Sequence, residues 1–287
     1  MELLGGQAII EGVMMKGKTH LGYAVRKKGE IVTKKEHFVS IKEKHKILGI
    51  PFLRGIVNMV EMMIIGIKAL NWSADQALDE EEGEDEFTGW QLGLSLVFAF
   101  VLAIGIFKLI PLGITKYLFN KEMLGDSRIL FNVVDGLIRI GLFTGYLLLI
   151  SLWKDVAVLF EYHGAEHKAV ACQEAGKELT VENVQGFSRL HPRCGTSFIV
   201  FVFLIAIVVF SVAPIEMNFL GLFFIRFLLV FPIAGIGYEV LRYSALMKSK
   251  LFFKVIIQPG LWFQRITTSE PNDKQVEVSI AALKEVL

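Results

Sequence analysis

The sequence predicts a mostly α, polytopic helical membrane protein with about four transmembrane helices, an interfacial helix and a small N-terminal β-hairpin cap. Three observations carry this expectation. Hydrophobic residues make up 53% of the 287 and mean hydropathy is +0.53, more apolar than a soluble domain with a wetted surface sustains. Four stretches approach the roughly 20 apolar residues a helix needs to cross about 30 Å of hydrocarbon. The segment before them is polar and alternates with a short period. Lipid bilayer is therefore the expected partner, and glycine-containing helices offer a route to self-association. A formal charge of only +1 leaves no global field that would attract nucleic acid.

Residues 1–48 read as an N-terminal cap. Tyr23 to Arg26 and Ile31 to Lys34 flank a Lys28-Gly29-Glu30 turn, the pattern of a β-hairpin. Gly5, Gly6 and Gly12 imply tight backbone turns around Glu11, a loop placed to close over a site. Residues 49–71 are apolar but broken by Arg54, Asn58, Glu61 and Lys68, which suits an interfacial or bundle-packed helix better than a span. Residues 72–90 hold the acidic run 79–86, expected to be a solvated linker. The transmembrane domain is expected at 91–240, its spans at 91–110, 129–153, 196–214 and 218–239. The last two are joined by a short connection around Pro214 and Glu216. Residues 241–287 form a C-terminal tail. In it Gln258-Pro259-Gly260 reads as a turn, Trp262 as a headgroup anchor and 276–287 as an amphipathic helix docking on the cap.

Orientation follows from the basic residues. Residues 1–90 carry 12 lysines and arginines, 154–195 carry 5, 241–287 carry 7, and the 112–128 connection carries 3. The positive-inside rule then places both termini and segment 154–195 in the cytoplasm of a multi-pass protein. Met1 to Glu11 lacks the basic start and apolar run of a signal peptide, so the first span is expected to direct insertion.

Segment 154–195 carries the chemistry. His163, Glu166 and His167 have the spacing H-x-x-E-H; two imidazoles four residues apart share a helix face, and the glutamate can polarise water instead of ligating. His191 and Cys194 follow in a Pro/Gly-held turn, able to supply the remaining donors. The expected metal ligands are His163, His167, His191 and Cys194, the expected catalytic base is Glu166, and a borderline-soft donor set favours zinc over other divalent metals. Four ligands would close the shell and make the site structural, whereas catalysis needs an open position.

Four segments, 5–15, 161–168, 191–197 and 258–268, resemble those of the bacterial YqhQ family, and the resemblance runs over nearly the whole chain. That family is a domain of unknown function labelled a predicted metal-dependent membrane enzyme. The resemblance therefore implies a bacterial plasma-membrane location and a metal, but no established reaction.

Among polar residues at membrane depth, Asp135 and Arg139 are spaced to clamp each other on one helix face. Arg226 needs a partner, Lys108 is placed to snorkel, and Glu239 offers either a snorkelling end or a further metal ligand. Two functions fit. One is a zinc-dependent hydrolase acting at the cytoplasmic membrane surface on a peptide or lipid-linked substrate. The other is a non-enzymatic channel, transporter or assembly scaffold with a structural zinc site.

Overall fold

The computed structural model describes residues 4–77, 89–120, 127–212, 217–246 and 251–287. The acidic run at 79–86 and the 213–216 connection lie outside the described residues. The chain opens with a four-stranded antiparallel meander: β1 (Gly5–Ile9), β2 (Gly12–Lys16), β3 (His20–Lys27) and β4 (Glu30–His37), in the order β1-β2-β3-β4. The hairpin expected from the sequence is β3–β4. Its turn residues Lys28 (φ 50°) and Gly29 (φ 92°) both have positive φ, the geometry that matches strand twist in a two-residue loop. The sheet is twice the expected size, because Gly5, Gly6 and Gly12 lie within β1 and β2 instead of forming a loop. The chain turns between those strands at Ile10-Glu11, with Glu11 at φ 51°.

Both faces of the sheet are covered. Side chains alternate across a strand, and Val13, Met15 and Ala24 pack on one side while Ile9, Met14, Tyr23 and Val25 pack on the other. The second face is roofed by α2 (Leu53–Ala77), which follows α1 (Ile41–Lys44) and buries Ile65 and Ala69 against the sheet. The helix expected at 49–71 thus packs on the N-terminal sheet along part of its length. Its opposite side still exposes Val60, Met63 and Ile64.

Next come α3 (Gly89–Ile104), a π-helical turn at Gly105–Leu109, α4 (Ile110–Asn120), α5 (Arg128–Ile150), α6 (Lys154–Glu174), α7 (Val181–Gln185), α8 (Gly195–Ser211) and α9 (Phe219–Leu246). Three helical stretches are long and apolar enough to cross a membrane, Gly93–Phe119, Ile129–Ile150 and Phe219–Ser244; α8 is apolar but shorter. At 17 residues it spans about 26 Å, slightly less than the hydrocarbon core. The first stretch runs unbroken through the π turn, so the expected 91–110 span extends to Phe119.

Charge inside this bundle is concentrated at one point. Arg139 and Arg226 each donate to the Asp135 carboxylate at 2.9 and 2.8 Å, and Arg226 also donates to Asn132 Oδ1. The clamp therefore exists and supplies the partner that Arg226 needs. Beside it is a space of about 10 Å³, room for about one water. Lys108 does not snorkel: its buried ammonium lies over the Phe227 and Phe223 rings at 5.2 and 5.9 Å. Glu239 is taken by Arg54 and the Phe52 N–H, which ties α2 to α9 and removes it as a metal donor.

The tail is α10 (Leu251–Ile256), α11 (Gln258–Thr267) and α12 (Asp273–Lys284). Gln258-Pro259-Gly260 starts α11 instead of turning, because a proline in the first helical turn forfeits no hydrogen bond. The α12 helix opens on an Asn272/Gln275 capping box and buries Val276, Val278, Ala282 and Leu283 against α6 and the first sheet face. The N-terminal sheet, α6 and the C-terminal helix thus share one hydrophobic core.

Candidate functional site

The α6 helix lies in the middle of that core, which is why a segment of modest hydropathy buries Tyr162, Ala165, Glu166, His167 and Ala169. Its close approach to the tail depends on Gly164. A Cβ there would fall 2.1 Å from the Ser269 carbonyl oxygen, and Ser269 N–H donates to Phe160 O at 2.9 Å across the same contact. The helix ends at Glu174 with Ala175 as C-cap, and Gly176 follows at φ +68°, the left-handed position that suits glycine.

Three of the four expected donors meet. One donor atom from each of His163, His167 and Cys194 lies within 4.8 Å of the others, and His163 Nε2 is 3.2 Å from Cys194 Sγ. Donors bound to one tetrahedral ion sit about 3.5 Å apart, so the trio needs little contraction to close on a metal. Both imidazoles are oriented from behind: His163 Nδ1 donates to Thr267 O at 2.8 Å and His167 Nδ1 to Arg189 O at 2.6 Å. A carbonyl only accepts, so Nδ1 carries a proton in each ring and Nε2 is the nitrogen that would ligate an ion, giving up its own proton where it holds one.

Without an ion the cluster holds its own charge pair. Burial opposes ionisation of His163, but the adjacent Cys194 sulfur outweighs it and raises the imidazole to about 9. Burial likewise opposes the Cys194 thiolate, yet His163 and His167 hold it well below the ordinary thiol range. Cys194 is also the N-cap of α8 and accepts from Thr196 N–H at 3.4 Å. Cys172 is separate, buried in the last turn of α6, where burial pushes its thiol up.

His191 stands outside the trio. Its Nδ1 accepts from Arg193 N–H, its Nε2 lies 3.7 Å from a Glu174 carboxylate oxygen, and its ring centroid is 5.7 Å from that of His167. The Glu174 carboxylate is also paired with Arg193. The backbone of His191 is fixed by Gln264, which accepts from its N–H at 2.8 Å and donates to its carbonyl at 2.7 Å. Gln264 is fully buried and sets the turn that delivers Cys194; the sequence offered it only as part of the 258–268 segment.

Glu166 is buried beside the trio, and its Oε2 has no hydrogen-bond partner among the described residues. Burial pushes its carboxyl up, against the pull of His167 and His163. Strand β1 packs directly over it: a Cβ on Gly6 would come within 3.2 Å of Glu166 Cγ. A cavity of about 620 Å³ opens onto His163, Glu166, His167 and Cys194, bounded elsewhere by β1, α2 and Tyr238 of α9. That volume suits a small-molecule or headgroup-sized ligand.

Comparison with known proteins returns the same lineage as the motifs. The model of a family described as a protein of unknown function (DUF1385) matches residues 50–287. The uncharacterized protein YqhQ of Bacillus subtilis (strain 168) is 34% identical, over 99% of this chain and 92% of the relative. No solved structure matches.

Proposed function

The chain belongs to the DUF1385 family of proteins of unknown function, and from its site geometry we propose that it is a zinc-dependent hydrolase of the bacterial plasma membrane. The observation that carries this reading is the three-donor cluster facing a cavity, with a buried carboxylate beside it. Three protein donors leave a fourth position for water or substrate, the arrangement of catalytic sites, whereas a structural site closes with four. His163, His167 and Cys194 would hold the ion; His191, turned to Glu174 and Arg193, would bound the site.

A bound zinc ion would supply Lewis acidity toward a substrate oxygen and lower the pKa of water. The protein's own part is proton handling and orientation. Glu166 takes the proton of the attacking water through its unpaired Oε2 and returns it to the leaving group, a task suited to a carboxyl raised by burial. The carbonyls of Thr267 and Arg189 keep both imidazoles turned inward. Packing of the N-terminal sheet, α6 and α12 around one core supports placing both termini and segment 154–195 together in the cytoplasm, the side with most basic residues. The intramembrane Asp135 cluster, with space for a single water, offers little material for a transport path.

Glu166→Gln is the test. Zinc-loaded wild type and variant are screened against peptide, ester and phosphoester substrates. The variant is expected to bind the metal normally and lose at least 100-fold in turnover; equal turnover would remove Glu166 as base and with it this mechanism.

A further inference from the structure

The cavity has a second chemical feature that the metal cluster does not use. Lys16, at the end of β2, and Lys42, from α1, both line it, together with Asn58 of α2. Neither ammonium has a carboxylate within ion-pair distance among the described residues. Lys42 donates to Asn58 Oδ1 at 2.6 Å, and Lys16 sits over the Phe38 ring at 4.9 Å. The nearby Glu61 is already committed to Ser40 Oγ and the Ile41 N–H. Burial and the Lys42 charge lower Lys16, against the pull of Glu61 and Glu43; burial likewise lowers Lys42, with Arg242 and Arg54 adding to it and the same two carboxylates opposing it. Two cations lining one cavity, partly withdrawn from water and with no carboxylate in contact among the described residues, form a site for an anion with several acceptor oxygens.

Resting on the hydrolase reading above, we propose that Lys16 and Lys42 form a phosphate subsite, and that the substrate carries a phosphate group held there while its reactive bond faces His163, His167 and Cys194. The remaining lining fits such a molecule. Met62, Leu159 and Phe160 offer apolar surface in the same cavity, and Gly195 and Thr196 place it at the start of α8, beside Tyr238 of α9. A phosphate headgroup on a membrane lipid and a soluble phosphate ester both present this chemistry.

The test uses full-length, zinc-loaded protein in nanodiscs of neutral phosphatidylcholine. Binding of inorganic phosphate and of dihexanoyl phosphatidic acid is measured by calorimetry. The Lys16→Gln/Lys42→Gln double variant is expected to weaken binding of at least one ligand tenfold or more with zinc content unchanged, and the Lys16→Arg/Lys42→Arg variant to restore it. Phosphatidic acid binding at least tenfold tighter than inorganic phosphate would identify a lipid source; equal affinities would identify a soluble one. Wild type that binds neither ligand, or a Gln variant that binds both like wild type, would overturn the subsite. The hydrolase reading fails separately, through absence of metal in wild type. The His163→Ala variant distinguishes the two, since it should lose zinc and keep lysine-dependent phosphate binding.

Discussion

Replacing Gly164 with alanine tests the packing on which the metal cluster depends. The added Cβ would lie 2.1 Å from the Ser269 carbonyl oxygen, well inside the roughly 3.5 Å of ordinary contact. The obstacle is backbone, so no rotamer relieves it, and the 268–271 segment must recede by about 1.4 Å to restore ordinary contact. Overpacking costs about 1–3 kcal/mol and the strained Ser269–Phe160 bond about 1 more, a total near 3 kcal/mol. In a chain of this size that lowers Tm by on the order of 10 °C. The same displacement pulls Thr267 O from His163 Nδ1, and loss of such an orienting partner typically costs about 10–100-fold in metal affinity. Thermal unfolding by intrinsic fluorescence in detergent, with zinc affinity from competition with a chromophoric chelator, reads both effects. Gly141→Ala, where no atom lies within 4 Å, is the control and should change neither. A Gly164→Ala protein with wild-type Tm and zinc affinity would refute the close packing of α6 on the tail.

The remaining predictions concern charge. In metal-stripped protein, Cys194 is held as thiolate well below the usual thiol range, so its alkylation rate, followed by mass spectrometry, should stay nearly flat from pH 6 to 8. In His163→Ala the main opposing charge to burial is gone, and the rate should climb about tenfold per pH unit over that window; parallel profiles would contradict the pairing. Asp135→Asn leaves Arg139 and Arg226 without their shared carboxylate and should destabilise the bundle by about 3–5 kcal/mol. Asp135→Leu with Arg226→Met should cost less than Asp135→Asn alone, and a greater cost for the pair would refute the clamp.

The sequence made the long apolar helices, the H-x-x-E-H helix and the terminal amphipathic helix legible, because each depends on local composition and periodicity. The same holds for the β3–β4 turn, where Lys28-Gly29 is a local signal. The β1–β2 hairpin was hidden, since glycines that permit close strand approach look like turn residues when read along one chain. For the site, the sequence named the three donors that converge. It could not separate His191 from them, because that depends on Glu174, 17 positions earlier, and on Gln264, 73 positions later. The two carbonyls that orient the histidines are backbone atoms and leave no residue-type signal. Lys16 and Lys42 were invisible for another reason: a lysine on a strand or short helix reads as solvated surface until the tertiary fold encloses it.

Zinc content after reconstitution, measured by elemental mass spectrometry on purified wild type and on alanine variants at His163, His167, His191 and Cys194, tests the three-donor centre most directly. The account predicts about one zinc per chain, lost on substitution of His163, His167 or Cys194 and retained on substitution of His191. Wild type that stays metal-free would contradict the centre, and loss of zinc in His191→Ala to the same degree as in His163→Ala would contradict its open fourth position.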